Sequence, residues 1–267
     1  MSEQHPFITE YTFARDDSKP GRILHTVHVG DAYVSRLVIA PGVITGNYYH
    51  KRTQVLFFVE KGDIFAALEH VESGERKEIH LRPGKHAIHV PTHVSFATKN
   101  VSDEEAVLFY FSNHPLRLTQ DRFEYEVLGP YDTDRKGEKE VRPSMIQVYD
   151  FQEDLRKPGR ELHAVKVGDV YITRAILPPG QVRTNFYYKR TNLMLFVEAG
   201  EIQIKFIQIQ TGEVKEIVYR PGSGIVHIPP YIALACRNIG SLNGVIVLFS
   251  DGHIRSEDNY HYPVYEE

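Results

Sequence analysis

The feature that most constrains this chain is that it contains itself twice. Slid along itself, the sequence matches at one offset, 138 residues, without a gap from Phe13/Phe151 to Arg117/Arg255. KPGRILHTVHVGDAYVSR pairs with KPGRELHAVKVGDVYITR, HKRTQVLFFVEKGDI with YKRTNLMLFVEAGEI, and SGERKEIHLRPG with TGEVKEIVYRPG. Few units of long period are two copies of one domain and not a solenoid. The expected division is a first domain over 1–128, a polar, charged linker GPYDTDRKGEKEVRPS over 129–144, and a second domain over 145–267.

At 267 residues, each half is long enough to bury its own core. Within each copy, short runs rich in Val, Ile, Phe and Tyr alternate with Gly, Pro, Asp and Asn, as in DAYVSRLVIAPG, QVLFFVEKGD and EAVLFYFS. A helical period is sustained nowhere. About eight strands per copy, with little helix, predict an all-β fold closed into a barrel or jelly roll that hides its sheet edges.

Composition narrows the partners. A formal charge of -4, with 42% hydrophobic and 25% charged residues, argues against a nucleic-acid binder relying on a global excess of Lys and Arg. The only cysteine, Cys236, excludes an intrachain disulfide framework and fits a reducing cytoplasm. The start MSEQHPFITEYTF lacks a basic segment followed by an apolar run, and no stretch approaches 18 apolar residues, so neither a signal peptide nor a membrane span is expected. No phosphate loop, nucleophile elbow, dinucleotide fingerprint or H-E-x-x-H occurs.

The order of elements resembles the cupin superfamily of double-stranded β-helix barrels, and the duplication makes this a bicupin. The first cupin motif falls on Gly42, Tyr48-Tyr49-His50, Val55 and Gly62, and the second on Pro91, His93, Phe96 and Asn100. In the second copy the same positions hold Gly180, Phe186, Tyr188, Leu193 and Gly200, then Pro229, Tyr231, Leu234 and Asn238. A cupin metal site uses three imidazoles and a carboxylate, and an ion needs about three or four such donors to outcompete water. The first copy keeps His50 alone and the second copy keeps none, so no metal and no other cofactor is expected.

GNYYHK, followed by VEKGDIFAALEHVESGERKEI and VLFYFSNHPLRLTQDRFEY, is similar to the cupins of nucleotide-sugar metabolism: keto-sugar epimerases, 3,4-ketoisomerases and the cupin half of capsule-sugar reductases. That resemblance implies metal-independent proton transfer next to a keto group, with His50 as the acid/base and Tyr48 assisting, in the first barrel. If the family's inward positions hold, Tyr48, His50 and Arg52 line one cavity, while Tyr49 and Lys51 point away. Substrate-binding candidates are Arg36, Arg52, His89, His93 and Phe96 in the first copy, with Arg174, Arg190 and His227 in the second. An inward arginine needs an anion. A sugar-nucleotide diphosphate or an acidic sugar would supply it, and so would an internal carboxylate such as Glu60 or Glu198. His89 and His227, retained at equivalent places, fit either a pocket role or a structural hydrogen bond at a strand end. The expected partner is a small sugar or sugar nucleotide, with a homodimer through barrel edges implied by the resemblance. Two alternatives stand beside this reading: a bicupin that binds a small molecule without catalysis, and a metal-dependent oxygenase drawing ligands from outside the family positions, for example His50 with His89 or His93.

Overall fold

The computed structural model describes residues 3–5, 7–129, 145–154, 161–254 and 256–265. The expected linker, apart from Gly129, lies outside these residues. Among them, regular structure is almost entirely antiparallel strand, and the one helical element is the 3-10 turn Thr119–Asp121. No helix is long and apolar enough to cross a membrane.

The chain forms two compact units, each built from two facing antiparallel sheets. In the first unit, Ala106–Ser112 runs between Ala32–Ile39 and Val55–Lys61, while Val94–Asn100 runs between Ile44–Tyr49 and Ile64–His70. The second unit repeats this pattern with Gly244–Ser250 between Val170–Leu177 and Leu193–Ala199, and Ile232–Asn238 between Val182–Tyr188 and Ile202–Gln208. These are the two tandem cupin barrels that the repeat and motif spacing predict.

Strand period explains which side chains meet inside. In Ile202–Gln208, Ile202, Ile204 and Phe206 are fully buried, while the intervening residues are partly exposed. The first barrel closes over Phe57, Leu68, Leu81, Ile88 and Leu108, and the second over Leu195, Leu234, Ile246 and their neighbours. Each such side chain contributes about 1.5–3 kcal/mol on leaving water, which is what holds the sheets face to face.

The compact units comprise residues 14–150 in one case, and residues 1–13 with 151–267 in the other. The repeat explains this pattern. Thr9 and Gln147 are equivalent at the offset of 138, and each lies on a strand that leads into its own repeat. Ile8–Tyr11 pairs with Ile225–Ile228, placing Thr9 opposite His227, whereas Gln147–Asp150 pairs with His86–Val90, placing Gln147 opposite His89. Each leading strand therefore completes a sheet of the barrel formed by the other repeat, covering an edge that would otherwise expose unpaired backbone groups. At Gly224, whose φ is +140°, a Cβ would stand 2.3 Å from the Tyr11 carbonyl oxygen, so the strand passes where only glycine leaves room.

Candidate functional site

The interior of the first barrel is organised by the end of one strand. Ile44–Tyr49 pairs with Val94–Asn100 through a register shift between Phe96 and Ala97. Gly46, with φ +109°, sits at that shift, where a Cβ would lie 2.3 Å from the Phe96 carbonyl oxygen. After the strand, the chain turns outward and the Asp121 carboxylate ties the turn down. It accepts hydrogen bonds from the backbone N–H groups of Lys51, Arg52 and Thr53 and, at 2.7 Å, from the Thr53 hydroxyl. Burial pushes Asp121 up, but the Thr53 hydroxyl and the three N–H donors outweigh it and hold the carboxyl below its ordinary value.

This clamp leaves Tyr48 and His50 facing inward. His50 is 2% exposed, and its Nδ1 lies 2.6 Å from the Asp121 carbonyl oxygen. A carbonyl can only accept, so Nδ1 carries the hydrogen and Nε2 keeps the lone pair. Nε2 is buried and has no hydrogen-bond partner. Burial lowers the His50 pKa, with the Asp121 carbonyl and carboxylate pulling the other way, so the ring is neutral near pH 7. Its edge meets the Tyr48 ring, the centroids 5.2 Å apart, and the Tyr48 ring also packs edge-on to Phe96 at 5.3 Å. Burial raises the Tyr48 pKa against the pull of Arg122 and Arg22, so Tyr48 is a protonated phenol.

Tyr48 and Phe96 line a cavity of about 40 Å³, together with Tyr110, Leu24, Leu37 and Leu116. His50 is not on its wall. Four cations are: Lys19, Arg22, Arg117 and Arg122. The Arg122 guanidinium lies over the Tyr48 ring, 4.3 Å from its centroid. Arg117 is engaged by Asp16 and donates to the Ser18 hydroxyl at 3.2 Å. Burial, then repulsion from Arg122 and Arg22, lowers the Lys19 pKa, and burial followed by Arg122 lowers that of Arg117.

The other sequence candidates lie elsewhere. Arg36 is held by Glu60, with Nε at 3.0 and 2.9 Å from the two carboxylate oxygens and Nη2 at 2.7 Å, so the anion beside it is an internal carboxylate. Arg174 and Glu198 repeat the arrangement, with Nε at 2.9 Å from both oxygens. Arg52 and Arg190 are exposed: the strand ends before them, so inward alternation no longer applies. His89 faces away from the core that its neighbours Ile88 and Val90 enter, and its Nε2 is 3.2 Å from Gln54 Oε1. His227 stands likewise 3.3 Å from Asn192 Oδ1. His93 adopts φ +62° in the turn, donates its backbone N–H to the His50 carbonyl at 2.7 Å, and lies beside the Tyr49 ring. Of the proposed set, then, the structure brings together Tyr48, His50 and Phe96.

The donors do not fit a cupin metal. The positions that correspond to ligands hold Tyr48, His50, Val55 and Phe96, the last two without a donor atom. Among the described residues, no three His, Cys, Asp or Glu side chains converge. His89 and His93, the substitutes considered from sequence, are directed away from the cavity.

In the second barrel the equivalent interior is different. A cavity of about 500 Å³ is walled by Leu162, Ala175, Phe186, Leu248 and Ile254, with Arg183, Thr184, Asn259 and His261 also lining it. Phe186 and Leu248 stand where the first barrel has Tyr48 and Tyr110. Tyr188 takes the place of His50, and its hydroxyl donates to the Ile254 carbonyl. Asp258 repeats the turn clamp, accepting from the backbone of Lys189, Arg190 and Thr191 and from the Thr191 hydroxyl at 2.9 Å.

No protein-family model matches the chain, and no curated protein matches it in sequence. Among solved structures, a single-residue variant of oxalate decarboxylase from Bacillus subtilis superposes with a TM-score of 0.68 at 12% identity, covering 93% of this chain and 78% of that one. AerE from Microcystis aeruginosa superposes with a TM-score of 0.62 at 13% identity, covering 91% of this chain and 98% of that one. At such identity the likeness is one of fold, and both comparisons agree with the bicupin architecture.

Proposed function

We propose that the chain is a bicupin isomerase or epimerase in which the first barrel moves a proton next to the keto group of a small sugar-like substrate, without a metal. One observation carries the reading: beside the cavity, a buried imidazole is fixed in the tautomer that leaves Nε2 free, against a phenol kept protonated on the cavity wall. Tyr48, on the cavity wall, donates to the carbonyl oxygen as it becomes an enolate, while His50, behind the Tyr48 ring and off the wall, is the base that takes up the proton removed from carbon through an intervening water. The Asp121 carbonyl holds the imidazole and stabilises its protonated form.

A second reading, a binding protein without turnover, is favoured by the absence of His50 from the cavity wall. Proton NMR in deuterium oxide separates the two. Keto sugars and short 2-keto acids incubated with the protein should take up solvent deuterium next to the carbonyl, and Tyr48→Phe and His50→Gln should each slow uptake by about 100-fold or more. Ligands that bind without exchange would establish the binding protein instead.

A further inference from the structure

The cations of the first cavity carry donors that the chain's own contacts leave unsatisfied. Among the described residues, no carboxylate pairs with Lys19, Arg22 or Arg122. The Nε atoms of Arg22 and Arg122 are buried and make no hydrogen bond. A guanidinium carries five N–H donors in a fixed fork, and leaving a buried donor unpaired costs free energy, so two such forks facing one cavity describe a site lacking its acceptor. Asp16, the carboxylate that meets a cation of this cavity, is taken up by Arg117. Elsewhere the same chain meets a buried arginine with its own glutamate, Arg36 with Glu60 and Arg174 with Glu198. The cavity cations are the exception to that habit.

We infer that the first barrel binds an oxyanion group, a carboxylate or a phosphate, between Arg22 and Arg122, with Lys19 adding charge and Tyr48 and Tyr110 facing the same space. The cavity size limits what enters. One water needs roughly 10–15 Å³ of such space, so about 40 Å³ accepts a group of a few heavy atoms, whereas larger organic ligands occupy pockets of roughly 300–1,000 Å³. The substrate is therefore a small acid, or a larger molecule that inserts only its anionic end, and any nucleotide moiety stays outside. Arg122, its guanidinium 4.3 Å from the Tyr48 ring centroid, carries a planar fork of donors suited to two parallel hydrogen bonds to a planar or tetrahedral oxyanion. Attached to a keto compound, that anion would hold the carbonyl near the Tyr48 hydroxyl. The inference thus rests on the isomerase reading for the reaction but not for the binding.

The repeat supplies an independent sequence trace. Lys19, Arg22 and Arg117 are matched at the offset of 138 by Lys157, Arg160 and Arg255, while Arg122 is matched by Tyr260. Three of the four cations have stayed identical in both copies, although the phenols they accompany in the first copy have become Phe186 and Leu248 in the second.

The test is calorimetric titration of the full chain at pH 7 and low salt with pyruvate and, separately, inorganic phosphate. At least one should bind, and raising the salt should weaken it. Arg122→Gln and Arg22→Gln should each raise the dissociation constant by about tenfold or more, and Lys19→Gln by less, because its ammonium is a single mobile charge. Binding of pyruvate alone identifies a carboxylate and binding of phosphate alone a phosphate; either supports the inference. A probe that fails to bind in both cases, or that binds equally well to folded Arg22→Gln and Arg122→Gln proteins, would overturn it. Should either variant fail to fold, the Lys19→Gln titration and the salt dependence carry the same decision. Binding without deuterium exchange would sink the isomerase reading and leave the anion site standing.

Discussion

The two barrels were built from one design and now differ in what they enclose. Outside the cavities the copies agree closely: Asp121 and Asp258 clamp equivalent turns, Arg36 and Arg174 grip the equivalent Glu60 and Glu198, and Asn100 and Asn238 donate to the Ile39 and Leu177 carbonyls at the ends of Ala32–Ile39 and Val170–Leu177. Inside, Tyr48, His50 and Tyr110 have become Phe186, Tyr188 and Leu248, and the imidazole with a free nitrogen is replaced by a phenol that spends its hydrogen on a backbone carbonyl. The difference teaches that the scaffold and the interior vary independently between the copies: contacts that define the shape are duplicated, while the buried imidazole with an unpaired ring nitrogen beside a phenol stands in the first copy.

If that account is right, substitutions in shared contacts should act equally in the two barrels. Asp121→Ala and Asp258→Ala should be the most damaging, each stranding three backbone N–H groups and a hydroxyl, at a cost on the order of 4 kcal/mol in urea unfolding. Only Asp121→Ala should also weaken pyruvate or phosphate binding, since the turn it frees carries His50 and adjoins Arg122. Glu60→Ala and Glu198→Ala come next: each leaves a buried arginine without its anion, costing about 3 kcal/mol by the same measurement. Markedly unequal losses within either pair would break the equivalence of the scaffolds.

The strand bulge offers a test that should go in opposite directions. Gly46 holds φ +109°, and its counterpart Thr184 holds φ +83°, a region that β-branched residues avoid. Gly46→Thr should destabilise the chain by roughly 2 kcal/mol, through strain and the approach to Phe96, while Thr184→Gly should gain up to about 1 kcal/mol. If Thr184→Gly is also destabilising, the threonine is held by contacts that outweigh its backbone.

Acid should have the mildest effect and should act in two phases, imidazoles first and carboxylates second. The folded pKa of His50 lies below its unfolded value near 6.5, so the unfolded chain binds the proton more readily and stability falls as pH drops below about 6.5. Asp121 and Asp258 have depressed values, so their contribution is present above the ordinary carboxylate value near 4 and is lost as pH falls through the folded value. Burial also lowers the pKa of His25, His89 and His227, so His50→Gln should diminish the first phase without abolishing it and leave the second, measured as thermal midpoints between pH 7 and pH 3.

Much of the fold was legible because it rests on local rules repeated twice. The 138-residue offset, the alternation of β-branched and aromatic residues, and the turn glycines specify the barrels without reference to distant contacts. The exchange of leading strands was not legible: Ile8–Tyr11 and Gln147–Asp150 read equally well as strands in either barrel, and pairing partners are set by tertiary approach. At the site, the inward direction of Tyr48 and His50 followed from strand period together with the family resemblance, and Phe96 was a candidate from the second motif. Arg52 defeated the same rule because the strand ends at Tyr49, and Arg36 was expected to face a ligand or a carboxylate, of which the structure selects Glu60. Lys19, Arg22, Arg117 and Arg122 went unnoticed, since they lie far from the motif histidine. The signal available for three of them was their identity across the repeat, in the KPGR segments and at Arg117/Arg255.

The measurement that bears most directly on the central claim is solvent-deuterium uptake, followed by proton NMR, for pyruvate and related short keto compounds with the wild-type chain, Tyr48→Phe, His50→Gln and Phe186→Leu. The account predicts exchange catalysed by wild type and Phe186→Leu and lost in both first-barrel variants. Exchange that survives Tyr48→Phe and His50→Gln, or that disappears with Phe186→Leu, would contradict it.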